Sequence, residues 1–144
     1  MRLWHHKLLR YLPEAQFKGQ LRELVLIMRD WRDRGATNHL LVNKVMEYDK
    51  VVLKGYYRAW CAAYWLRYGK PYTKYDQEFL EFAGEGYKQW GYSQGWHDKE
   101  YLRVCMANLY EKHFFGIGKS RITDEEWKRL VDGYKAITGE EYQI

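Results

Sequence analysis

The stretch QLRELVLIM, Gln20 to Met28, sets an arginine and a glutamate side by side immediately before an unbroken aliphatic run. A carboxylate can move protons and can hold a developing positive charge, so the use of Glu23 turns on what surrounds it. The positions three and four residues away are Gly19, Gln20, Leu26 and Ile27, and none is the Lys or Arg that commonly accompanies a surface glutamate on a helix. Gly19 opens space for another backbone or a ligand, at a helix-propensity cost of about 1 kcal/mol relative to alanine. On these residues alone, an ordinary solvated glutamate and one that faces a ligand both fit.

Other candidates are weaker. GIGKSR, Gly116 to Arg121, can offer backbone amides together with Lys119 and Arg121 to a phosphate. Its glycine spacing is not that of a P-loop and no strand precedes it, so a plain interhelical loop fits as well. The five histidines, His5-His6 among them, show no HExxH or Cys-His spacing, and neither a metal nor another cofactor is expected. His39 and His97 read as hydrogen-bonding residues at helix starts. Cys61 and Cys105 are isolated and lie in helix-like surroundings, as reduced core thiols do.

The elements that must carry these residues are helical. Phe17, Leu21, Leu24, Met28 and Trp31 step by four, three, four and three between Pro13 and Arg34, one face of a 3.6-residue helix. That face places Glu23 roughly 120° from the apolar stripe. Pro13 suits a first turn and Gly35 a stop. A second helical stretch follows Asn38, and a third runs from about Asp49 to Tyr68 with Val52, Tyr56, Trp60 and Ala63 as its stripe. Thr73 with Asp76 opens a fourth, GYSQGW (Gly91 to Trp96) reads as a loop, and a fifth helix starts near His97 or Asp98 and ends at Gly116. Thr123-Asp-Glu-Glu126 is a capping box, with Ile122 and Trp127 spaced as a hydrophobic staple. No strand alternation bounded by hairpin signals stands out. The expectation is an all-α, compact single-domain bundle of about five or six helices over residues 1–144.

The chain of 144 residues is long enough for one buried core. Its longest aliphatic or Met run, Leu24 to Met28, is far too short to span a bilayer, and MRLWHHKLLR lacks the apolar segment of a secretory signal. A cytoplasmic protein without membrane contact is expected. Residues 1–72 hold 14 Lys or Arg against 6 Asp or Glu, whereas residues 73–144 hold 10 against 13. The basic half, with interleaved Trp4, Tyr11, Trp31, Tyr48, Tyr56, Tyr57 and Trp60, suits a polyanion. Helical spacing favours core packing over base stacking for each of those rings.

MRLW at the start, Leu12, Gly19 and Arg22-Glu23-Leu24 resemble, in order and spacing, the pyrimidine-dimer DNA glycosylase family. Asn38-His39-Leu40 is similar to a Gly-His-Val segment of that family, and Leu109-Tyr110-Glu111-Lys112 to a Leu-x-Glu-Lys run on a late helix. The resemblance implies a DNA repair glycosylase with associated abasic-site lyase activity, acting on double-stranded, damaged DNA. It implies that the chain's own α-amine attacks the sugar C1′ to form an imine while Glu23 handles protons, which makes Met1 and Glu23 the expected catalytic pair. An α-amine near pKa 7.8 is about a fifth neutral at cellular pH, against about one in a thousand for an ordinary lysine, so the terminal amine is a ready nucleophile.

Arg22 matches a phosphate-contacting arginine of the family and Arg2 lies one position from another. With His39, Lys119 and Arg121 they form the expected DNA-binding set. The chain departs from the family's phage endonuclease at several points. Arg2 is too large for normal removal of Met1, so Met1 itself would supply the amine. Gln16 replaces a first-helix histidine, Leu26 replaces an arginine, and no C-terminal aromatic tail is evident in GEEYQI. A non-catalytic helical nucleic-acid-binding module is the alternative, and a protein-interaction scaffold the third.

Overall fold

The structure, a computed structural model, describes residues 3–35, 49–86 and 97–144. Among them stand five α-helices, α1 (Glu14–Arg34), α2 (Lys50–Tyr68), α3 (Asp76–Ala83), α4 (Lys99–Phe114) and α5 (Asp124–Thr138), with short 3₁₀ turns at His6–Leu8 and Gly118–Ser120. No strand occurs among the described residues, and the protein is all-α. The helical stretch expected after Asn38 and the loop Gly91–Trp96 lie outside the described residues.

Helix ends follow local chemistry. Pro13 precedes α1, where a missing N–H costs nothing. Gly35 ends the helix at φ 73°, a left-handed position that suits glycine. Asp49 caps α2 through the Val51 amide and Asp98 caps α4 through the Tyr101 amide. The α5 capping box is complete, with Glu126 N–H on Thr123 Oγ1 at 3.1 Å and Thr123 N–H on Glu126 Oε1 at 3.0 Å. The start of α3 differs from expectation. Tyr75 occupies its N-cap without a side-chain bond, and Thr73 contributes its carbonyl, which accepts the Asp76 amide at 3.1 Å.

The stripes predicted from spacing form the core. Phe17, Leu21, Leu24 and Met28 of α1 are buried with Val52, Tyr56, Trp60 and Ala63 of α2 and Leu102, Cys105, Met106 and Leu109 of α4. Phe17 stacks on Trp60 at 4.5 Å, and the indole N–H donates to the Phe17 carbonyl at 2.9 Å. Tyr57 stacks on Phe79 at 4.3 Å while its hydroxyl donates to Asp76 Oδ1 and accepts the Tyr75 amide. These contacts fix α3 on α2. Trp4, Tyr56, Tyr57 and Trp60 are buried, and Tyr11 and Trp31 pack against the core, so these rings serve the interior.

Several cations of the basic half are also used internally. The Arg67 guanidinium lies 4.2 Å from the Phe17 ring centroid and donates to the carbonyls of Leu9 and Leu12. Arg29 grips Glu78 through two hydrogen bonds of 2.7 and 2.9 Å, and Arg32 reaches the same carboxylate at 3.2 Å. The basic excess of residues 1–72 is therefore partly neutralised by an acidic residue of the other half.

Two helical glycines sit in opposite surroundings. A methyl built at Gly19 on α1 meets only the Arg22 guanidinium at an ordinary 3.6 Å, whereas one at Gly133 on α5 falls 2.5 Å from the Tyr11 ring. Gly133→Ala gains about 1 kcal/mol of helix propensity but overpacks a buried position, at a typical cost of about 1–3 kcal/mol. Urea denaturation is expected to show a lowered midpoint for this variant. A raised midpoint would mean that Tyr11 moves aside without penalty.

Candidate active site

The chain ahead of α1 is fastened by its own backbone. The Trp4 amide donates to Gln20 Oε1 at 2.7 Å, and the Trp4 carbonyl accepts the Tyr56 hydroxyl at 2.6 Å. Leu3 O accepts the Tyr101 hydroxyl at 2.6 Å, the His5 amide donates to Cys105 Sγ at 3.4 Å, and the His6 amide donates to His97 Nδ1 at 3.1 Å. Leu3, Trp4 and His5 are buried, where an unpaired amide or carbonyl would be costly. Gln20 is itself 1% exposed, and Tyr56 donates to its Oε1 at 3.1 Å as well. Burial pushes the Tyr56 phenol well above its ordinary pKa, with Tyr101, Cys105 and Glu23 adding to the effect. Tyr56 consequently stays a donor.

Beside this arm lies a cleft of about 370 Å³, lined by Trp4, by α1, by Lys112 of α4, and by Lys119 and Ser120. The α1 contribution comes from Gln16, Gly19, Gln20 and Glu23, a helical i, i+3, i+4, i+7 stripe, together with Ala15 and Arg22. Gln16 Nε2 donates to the Ser120 carbonyl at 3.0 Å and so ties the loop to α1. The loop is fixed at its other side too. A side chain at Gly116 would collide with the Lys112 carbonyl, and that carbonyl accepts the Ile122 amide at 3.3 Å. Among the described residues no ion pair engages Arg22, Lys112 or Lys119. A cleft lined by a half-buried carboxylate and three cations suits a phosphodiester bearing an electron-poor carbon.

Of the residues singled out in the sequence, Arg22, Glu23 and Lys119 thus meet in one cleft. Arg121 is exposed and does not line it. Met1, Arg2 and His39 lie outside the described residues. Lys112, Gln20 and Ser120 line the cleft without having been singled out as site residues. Lys112 had a signal in the LYEK run, and Gln20 had one in the polar stripe 16-19-20-23. The loop residue Ser120 had none.

His97 hydrogen-bonds just ahead of the Asp98 cap of α4, as expected, but the partner of its ring is the amide of His6, 91 positions away. His5, His6 and His97 bring ring nitrogens within 4.8 Å of one another, the one such group of metal-ligating side chains among the described residues. Linear spacing had no means of revealing it. Two of the rings have other work: His5 Nδ1 accepts the Lys7 amide, and His97 Nδ1 accepts the His6 amide. The cluster is a hydrogen-bonded latch for the arm.

The latch depends on neutral rings. Burial lowers His5 and His6 to about 4 and His97 to about 2, with His6 and Lys7 adding to the shift at His5, Lys7 at His6, and the other two rings at His97. A hydrogen bond with the His97 backbone, and then Asp98, oppose the shift at His5. In the unfolded chain these histidines take up protons near pH 6.5, so unfolding binds protons as pH falls from 6.5 to 4. The associated stability is fully present above pH 6.5 and is lost toward pH 4, at up to about 1.4 kcal/mol per pH unit for each histidine. Urea midpoints measured between pH 7 and 4.5 are expected to fall more steeply for the wild type than for His97→Gln. Parallel slopes would contradict the latch.

No helix among the described residues is long and apolar enough to cross a membrane. A family model described as pyrimidine dimer DNA glycosylase matches residues 1–76, more than half of the chain. No curated protein and no solved structure matches.

Proposed function

The chain belongs to the pyrimidine dimer DNA glycosylase family, and from that membership we propose that it removes a damaged base and then cuts the strand, with the α-amine of Met1 as nucleophile and Glu23 as acid, base and cation stabiliser. One observation carries the reading. Trp4, whose amide and carbonyl are both held, and Glu23 line the same cleft. A chain spans at most about 3.6 Å per residue, so the first nitrogen is tethered within roughly 11 Å of Trp4.

The chemistry follows from that neighbourhood. The amine attacks C1′, the C1′–N bond to the base breaks, and the base departs with the electron pair. Loss of a proton from the nitrogen and opening of the sugar ring give a protonated imine, whose positive charge an adjacent carboxylate stabilises. Removal of a C2′ proton then drives β-elimination, in which the C3′–O bond breaks and the phosphate leaves. Arg22, Lys112 and Lys119 supply the counter-charge for the flanking phosphates. The target nucleotide must leave the base stack, because C1′ inside a duplex is hard to reach.

Borohydride reduction of untagged protein mixed with abasic-site DNA is expected to give a covalent complex. An N-terminally extended protein should trap little, and Glu23→Gln should trap at least roughly 100-fold more slowly, the usual scale for loss of a positioned acid–base group. Salt-sensitive DNA binding without any trapped complex would instead leave a non-catalytic binding module.

A further inference from the structure

We propose that the exposed tip formed by Phe114, Phe115 and Ile117 is a wedge that enters the DNA base stack next to the nucleotide held in the cleft. This inference rests on the reading of the cleft as a DNA site. Phe114, Phe115 and Ile117 are 64%, 72% and 86% exposed, three adjoining large apolar side chains that fold stability does not account for.

The tip is built to stay in place. Phe115 ends α4 with its amide on the Glu111 carbonyl at 2.8 Å, and its ring meets that of Phe114 edge-on at 4.8 Å. His113 Nδ1 donates to the Ile122 carbonyl at 2.9 Å, and the capping box of α5 begins at the next residue. Gly116, which admits no side chain, makes the turn against α4. A segment held at both ends exposes its apolar side chains without the entropy cost that a floppy loop would meet on insertion.

Charge and continuity identify the occupant. Lys112 precedes the tip and Lys119 follows it, and both line the cleft. Arg121 is exposed beyond them. An apolar tip between cations matches a duplex, in which stacked bases lie between phosphate rows. Apolar side chains driven between base steps unstack and kink DNA, which is the distortion that extrusion of a nucleotide requires. A membrane surface shares the charge complement but has no use for the adjoining carboxylate cleft.

The test compares wild type with Phe115→Ser, Ile117→Ser and the conservative Phe115→Leu, all at exposed positions outside the cleft. Trapping on a duplex with one abasic site should fall roughly tenfold in the two serine variants, the scale of one lost stacking contact, and be restored in Phe115→Leu. Trapping on the single-stranded abasic oligonucleotide, which has no stack to open, should be unchanged. A 2-aminopurine base beside the site should brighten with wild type and stay dim with Phe115→Ser. Equal duplex trapping and equal brightening would overturn the wedge, as would equal losses on single and double strands. Loss of binding to anionic vesicles with no change on DNA would overturn it as well. If wild type traps nothing, the reading of the cleft fails, while the 2-aminopurine signal still decides whether the tip enters a duplex.

Discussion

The side-chain carbonyl of Gln20 is the contact on which the site depends. Buried beneath α1, it accepts the Trp4 amide and the Tyr56 hydroxyl, and that hydroxyl also holds the Trp4 carbonyl. Three groups from the arm, α1 and α2 thereby satisfy one another where water has no access. A half-satisfied network there would be worse than an apolar one, so the arm has one stable seat. Because Gln20 belongs to the same helical stripe as Glu23, whatever holds the arm also sets its distance from that carboxylate.

The rest of the fold supports this seat from outside. Tyr101 and Cys105 on α4 hold Leu3 and His5, and His97 holds His6, so the arm is closed in by residues about a hundred positions away in sequence. On its other flank Arg67 gathers the carbonyls of Leu9 and Leu12. The cations divide accordingly. Arg29, Arg32 and Arg67 are spent on packing and ion pairs, while Arg22 joins Lys112 and Lys119 of the acidic half at the cleft. Net charge by halves was a poor guide to the site, since the fold recruits cations from both.

Much of the scaffold was legible in the sequence because its cues are local. Three-and-four spacing, helix starts near Asp49 and Asp98, Gly35 and the Thr123 box act within a few residues, and each appears in the structure. The cleft was legible where local and chemical signals coincided, at Gly19, Arg22, Glu23 and Lys119. Gln20 was not among the expected site residues, because its partners Trp4 and Tyr56 are 16 and 36 positions away. The partner of His97 was hidden for the same reason: a ring placed at a helix start by its neighbours is claimed by a distant backbone amide. Ser120 touches Gln16 through its carbonyl, an atom that every residue type carries.

In the proposed reaction the held arm delivers the chain's first nitrogen, and no other amine, to the carbon that Glu23 serves. Lys112 and Lys119 stand in the same cleft and are the natural competitors, since each carries an amine able to form an imine. Proteolysis of the reduced protein–DNA adduct followed by mass spectrometry locates the bond directly. The sugar remnant is expected on the α-nitrogen of Met1; a remnant on Lys112 or Lys119 would contradict the proposed role of the arm.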